Sequence, residues 1–145
     1  MIERKFGHII MMSPPVEPAA VGHHGAYAVS KFGMSMIAQA ISDECAEHNV
    51  TAHSLWPATA IESFATINFG LGGPELWRKA DIIADATVAL LAREPSARKG
   101  RSWIDEDLLR DEEGVTDFAK YQCAPGVEPP RFPFSALPKA TATRA

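Results

Sequence analysis

The run Phe6-Gly7-His8-Ile9-Ile10-Met11-Met12-Ser13-Pro14-Pro15 sets the architecture. A short, continuously apolar stretch fits a strand buried on both faces, as in a parallel sheet. The two prolines end it, because proline cannot donate to a strand ladder and restricts the residue before it. Residues 16–25, with Pro18, Gly22 and Gly25, read as a loop. A long periodic segment follows at about 26–47, where Val29, Gly33, Met36, Ile37, Ala40, Ile41 and Cys45 recur at spacings of three and four. That spacing puts them on one face of a helix. Asn49 tolerates the left-handed conformation that stops a helix, and residues 50–56, closed by Pro57, form a second strand.

Farther along, residues 58–75 are mixed in character and broken by Gly70, Gly72 and Gly73. A second helix is expected from Lys79 or Ala80 to Ala92, with Ile82, Ile83, Ala86, Val88, Ala89 and Leu90 on its apolar side and Arg93-Glu94-Pro95 as its stop. Residues 101–105, with Trp103 and Ile104, read as a third strand, and 107–121 as one or two short helices around Gly114. Pro125, Pro129, Pro130, Pro133 and Pro138 set residues 123–145 apart as an extended tail, lying on a partner surface or disordered. Residues 1–122 are then the folded unit. Strand–helix–strand–helix–strand is the order of two consecutive crossover units. The fold class is therefore α/β, about three parallel strands with covering helices, with the first strand an apolar and unprotected edge.

Composition narrows the functions available. A chain of 145 residues, 46% hydrophobic and 22% charged, has the make-up of one globular domain. Fourteen Lys+Arg against eighteen Asp+Glu give a net charge of −4, which argues against a nucleic-acid partner. No apolar run approaches the roughly 20 residues of a membrane span, and Met1-Ile2-Glu3-Arg4-Lys5 does not open a secretory signal. Two cysteines make no disulfide framework, so a reduced, cytoplasmic protein is expected. His8, His48 and His53 are scattered and His23-His24 adjacent, without zinc-site spacing, so no metal site is expected. Cys45 reads as an inert core thiol. Asp105-Glu106-Asp107 and Asp111-Glu112-Glu113 read as solvated charges at helix starts. Trp56, Trp77 and Trp103 read as core or subunit-contact residues, with Trp77 also able to edge a substrate pocket.

Tyr27 and Lys31 stand four apart, so they share a helix face one turn apart. A free phenol titrates near 10. A neighbouring ammonium favours the phenolate and brings it towards the range of a general acid/base. Ser13, at the end of the preceding strand where open parallel sheets hold ligands, could hydrogen-bond a substrate oxygen.

These residues come in a telling order: Ser13-Pro14-Pro15; Ala26-Tyr27 with Lys31-Phe32-Gly33-Met34-Ser35-Met36; Leu55-Trp56-Pro57-Ala58-Thr59-Ala60-Ile61; and Ala80-Asp81-Ile82-Ile83-Ala84-Asp85-Ala86. The order resembles the catalytic half of the short-chain dehydrogenase/reductase family, in its hydroxysteroid dehydrogenase-like branch, over roughly residues 6–130. The resemblance implies an oxidoreductase acting on an alcohol or ketone with NAD or NADP. It implies Tyr27 as acid/base, Lys31 as the residue that tunes it and bonds the cofactor ribose, and Ser13 as the residue that orients the substrate. Pro57, Ala58, Thr59, Ala60 and Ile61 match the loop that meets the nicotinamide carboxamide. The family's glycine-rich phosphate turn has no counterpart before Ser13, and the glycines at 70–73 stand in the wrong place for it. Ala58 stands where a glycine commonly follows the proline. The expectation is a partial Rossmann-like, doubly wound sheet lacking the N-terminal nucleotide-binding half, with weak or absent cofactor binding by this chain alone. A small-molecule substrate and a homo-oligomer are the implied partners. The alternative is a catalytically inactive remnant that serves as an oligomerisation module.

Overall fold

The computed structural model describes residues 1–14, 25–97 and 100–132. In chain order its elements are β1 (Gly7–Met12), α1 (Gly25–Glu44), β2 (Val50–Trp56), β3 (Ala60–Ile61), α2 (Phe64–Asn68), β4 (Trp77–Arg78), α3 (Asp81–Leu91), β5 (Ser102–Ile104) and α4 (Asp105–Glu113), joined by short 3-10 turns. The main sheet is parallel in the order β1-β2-β5. Its register runs from Gly7 opposite Val50 to Met12 opposite Leu55, and from Ser54 opposite Ser102 to Trp56 opposite Ile104. This is the α/β, crossover-built sheet expected from the sequence.

Burial follows position in the sheet. In central β2 every residue from Val50 to Leu55 is buried, whereas in β1 only Gly7 is fully buried and the rest are half-buried or exposed. The expectation of a first strand covered on both faces is thus corrected, whereas its edge position in the sheet is the one expected. The core sits on the other flank. Leu55 and Trp103 meet Ile82, Ala86, Ala89 and Leu90 of α3, Leu108 and Leu109 of α4, and Phe118 and Tyr121. Gly114 ends α4 at φ 70, and such a left-handed cap suits glycine.

Helix α1 turns out the face that its apolar periodicity pointed inward. Its buried residues are Ala28, Ser35, Ala38 and Ser42, while Val29, Met36 and Ile37 are 73%, 66% and 52% exposed. The small side chains let the helix lie close on β2, where the Ser42 hydroxyl accepts from Ala52 N–H and donates to its carbonyl, both at 2.7 Å.

The mixed segment contains structure that the sequence did not reveal. β3 and β4 pair as a two-stranded parallel sheet, Ala60 opposite Trp77 and Ile61 opposite Arg78. Helix α2 starts with a reciprocal cap between Ser63 and Thr66. After a turn at 123–126, residues 127–132 run along the chain's own body. Gln122 bridges Arg78, Pro129 is buried, and Phe132 N–H donates to the Ala58 carbonyl at 2.7 Å. His23, His24, most of the loop expected at 16–25, and the chain beyond Phe132 lie outside the described residues.

The reading of Asp105 and Glu106 as solvated charges is also corrected: each is 1% exposed. No helix of the described residues is long and apolar enough to cross a membrane.

Candidate active site

The C-terminal ends of β1 and β2 lie side by side, and the first turns of α1 deliver Tyr27 and Lys31 to them. Lys31 Nζ donates to the Met12 carbonyl at 3.0 Å, so the ammonium is tied to the end of β1. It also lies 5.5 Å from the Trp56 ring centre at the end of β2 and 5.7 Å from that of Tyr27. Helical spacing is what sets Lys31 against the Tyr27 ring. Tyr27 itself is 54% exposed. Partial burial of its hydroxyl holds the phenol above its ordinary value, the opposite of the lowering expected from Lys31. The ammonium is drawn to a ring face and a backbone carbonyl, and desolvation is what shifts the phenol.

Ser13 stands at the same end of the sheet, but its hydroxyl faces inward. It is fully buried, and its Oγ accepts from Ser35 Oγ at 3.1 Å. Ser35 also donates to the Pro14 carbonyl. Ser35 escaped the sequence reading, although its signal was present: Ala28, Lys31, Ser35, Ala38 and Ser42 repeat at three and four, a small-residue stripe beside the apolar one.

The 57–61 loop leaves β2 beside this site. Ala58 and Thr59 are buried, and both polar groups of the Ala58 residue backbone are engaged. Its N–H donates to Asp105 Oδ1 at 2.7 Å and its carbonyl accepts from Phe132. The Thr59 hydroxyl donates to the Ala60 carbonyl at 3.0 Å, and Ala60 and Ile61 continue into β3. Asp105 Oδ1 also accepts its neighbour's N–H, that of Glu106, at 2.6 Å. Burial, only partly offset by these two N–H groups, pushes the Asp105 carboxyl up to about 6. Glu106 holds the buried Arg78 at 2.5 Å and Arg131 at 3.1 Å, and Arg78 reaches Glu128 as well. Asp105, Glu106 and Arg78 are site-supporting residues that the sequence reading missed.

The structure thus brings Ser13, Tyr27, Lys31 and the loop of Pro57, Ala58, Thr59, Ala60 and Ile61 to one end of the sheet, with Ser13 and Thr59 turned inward. A cavity of about 330 Å³ lies elsewhere, lined by Ser42, Asp43, Asn49, Val50, Pro95 and Gly100 at the start of β2, and no sequence-read site residue borders it. Among the described residues no group of three or more His, Cys, Asp or Glu could hold a metal.

The residues fit part of a nicotinamide nucleotide. An ammonium has three donors, and among the described residues Lys31 uses one, on Met12, leaving others for a ribose hydroxyl. Tyr27 is open to solvent on the same face. The Ala58 amide is already taken by Asp105.

A parallel sheet with a Tyr/Lys helix start at its C-terminal end resembles that of short-chain dehydrogenases, and known proteins similar to this chain point the same way. The short chain dehydrogenase family matches residues 1–67. A putative dehydrogenase from Xanthomonas campestris superposes with a TM-score of 0.76 at 30% identity, over 88% of this chain and 47% of that one. A short chain dehydrogenase from Mycobacterium thermoresistibile gives 0.73 at 33%, over 86% and 45%. The chain is thus similar to the short-chain dehydrogenase/reductase family. Within it, the chain is similar to hydroxysteroid dehydrogenase-like protein 2: 40% identical to that of Mus musculus over 125 residues and 38% to that of Homo sapiens over 127. It covers 25% and 29% of their lengths, 84% of its own chain being matched in each case.

Proposed function

We propose that this chain carries the proton-handling part of an NAD- or NADP-dependent dehydrogenase site that interconverts a small-molecule alcohol and ketone. The observation that supports this best is Lys31: one ammonium touches the end of β1, the end of β2 and the Tyr27 ring, at the crevice where open parallel sheets take ligands. A bound nicotinamide supplies or takes the hydride. Tyr27 Oη gives the proton to the nascent alcohol oxygen, or removes it in oxidation. Lys31 Nζ holds ribose hydroxyls and, once the phenol gives up its proton, stabilises the phenolate. Ser13 holds the substrate oxygen by exchanging its Ser35 partner for it. The 57–61 loop carries the backbone on which the nicotinamide end rests.

The unpaired Cys45 and Cys123 suit a reduced, cytoplasmic setting. The exposed stripe of α1 suits a homo-oligomer.

The test is oxidation of a panel of secondary alcohols with NAD⁺ or NADP⁺ by the 145-residue chain and by Tyr27→Phe. General acid/base catalysis contributes roughly 10²–10⁴-fold, so Tyr27→Phe loses activity by that order while its circular dichroism stays unchanged. Equal rates in the two proteins, or no turnover and no cofactor heat in calorimetry by either, overturn the reading.

A further inference from the structure

We propose that Asp105 is a positioning residue for the 57–61 loop, holding the Ala58 amide in place so that the backbone after it is fixed for the nicotinamide end of the cofactor. The purpose of this hold rests on the dehydrogenase reading above; the hold itself rests on the contacts that follow.

Asp105 stands where β5 passes into α4, and its Oδ1 takes two N–H groups, Ala58 at 2.7 Å and Glu106 at 2.6 Å. One carboxylate oxygen therefore takes an N–H at the start of α4 and ties that start to a residue 47 positions earlier in the chain. Ala58 cannot relax the other way, since its carbonyl is held by Phe132 N–H at 2.7 Å. The neighbouring acid secures the far end of the same loop. Glu106 grips Arg78 in β4, β4 pairs with Ala60 and Ile61 in β3, and the Arg78 carbonyl takes Glu62 N–H at 2.9 Å. Two consecutive acids thus hold the loop at its entry and its exit.

The second oxygen, Oδ2, makes the hold responsive to protonation. It is buried without a hydrogen-bond partner among the described residues, and such an atom is costly when the carboxyl is ionised. Burial is the main influence raising this carboxyl to about 6. The charged groups acting on it are Glu106, which favours the proton, and Arg78, which opposes it. A neutral carboxyl is a weaker acceptor than a carboxylate, so acid loosens the grip on Ala58.

The experiment follows the backbone amide of Ala58 in the ¹⁵N-labelled 145-residue chain from about pH 8 to about pH 4 by NMR. The wild-type Ala58 resonance is expected to move along one titration curve, and D105N to abolish that curve while E106Q keeps it. In D105A the Ala58 amide is expected to exchange with solvent about ten- to a hundredfold faster, as befits loss of a charge-assisted bond. Should D105N and D105A not fold, the wild-type curve alone decides. An Ala58 amide indifferent to pH, or one titrating unchanged in D105N, overturns the assignment. NADH and, separately, NADPH are then added to each folded protein. Shifts at Ala60 and Ile61 in the wild type that shrink in D105A support the positioning role, and equal shifts in both overturn it. Absence of any shift in the wild type with either cofactor overturns the cofactor reading and the purpose given to the hold, whereas the Ala58 curve still reports whether Asp105 grips the loop.

Discussion

Gly100 shows how one missing side chain sets a packing distance. A Cβ built there would lie 1.7 Å from Ser42 Oγ and 2.3 Å from the Ala52 carbonyl. Those two atoms are already bonded to each other across the α1–β2 interface. Neither can withdraw, because the same hydroxyl also satisfies Ala52 N–H and lies 3.1 Å from Thr51 Oγ1. Gly100→Ala is therefore expected to destabilise the fold by about 3 kcal/mol, the upper end of the overpacking range, read as a fall in the urea midpoint. An unchanged midpoint would show that the helix can shift outward on its small-residue face. The sequence exposed Tyr27 and Lys31 because both lie within one helical turn, where spacing alone dictates proximity. Ser42 with Gly100, or Ala58 with Asp105, lie far apart in the chain, and no periodicity announces such a meeting.

Helix α1 was legible as a helix and misread as a surface. Its residues repeat at three and four on two stripes at once, and the apolar stripe drew the inward assignment. Close approach to the sheet required the small stripe instead, Ala28, Ser35, Ala38 and Ser42, which left Val29, Met36 and Ile37 in solvent. An exposed apolar stripe of this kind is costly to leave wet, so a second copy of the chain is expected to cover it. Light scattering should give the wild type at least a dimer's mass, and Met36→Lys with Ile37→Lys should return a monomer with unaltered circular dichroism. A wild type already monomeric at high micromolar concentration sinks this expectation. The strands were easier to read: β1 announces itself by a short apolar run and β2 by its strand formers, each closed by proline. The two-residue β3 and β4 are too short to carry any period.

Taken as a whole, the molecule is fastened by a segment whose prolines gave no hint of where it would lie. Proline excludes helix and ladder, yet leaves an extended chain free to lie on any surface with matching groups. Here the matching groups are charges. Glu128 reaches the buried Arg78, Arg131 joins Glu106 at 3.1 Å and Asp107 at 2.8 Å, and Phe132 N–H meets the Ala58 carbonyl. Cutting after Gln122 removes all four contacts while leaving Arg78 with Glu106 and the Phe118 carbonyl. Breaking one side of a buried ion pair costs about 3–5 kcal/mol, though Glu128 is 66% exposed and its share is correspondingly smaller. The chain 1–122 is therefore expected to unfold at lower urea than 1–132, by about 2–3 kcal/mol, with Glu128→Gln in the full chain accounting for the minor part. Faster amide exchange at Ala58 in 1–122 would tie the loss to the site as well as to the fold. Equal midpoints for 1–122 and 1–132 would mean that the segment rests on the domain without fastening it, and residues 1–122 would then stand as the self-sufficient unit their composition suggests.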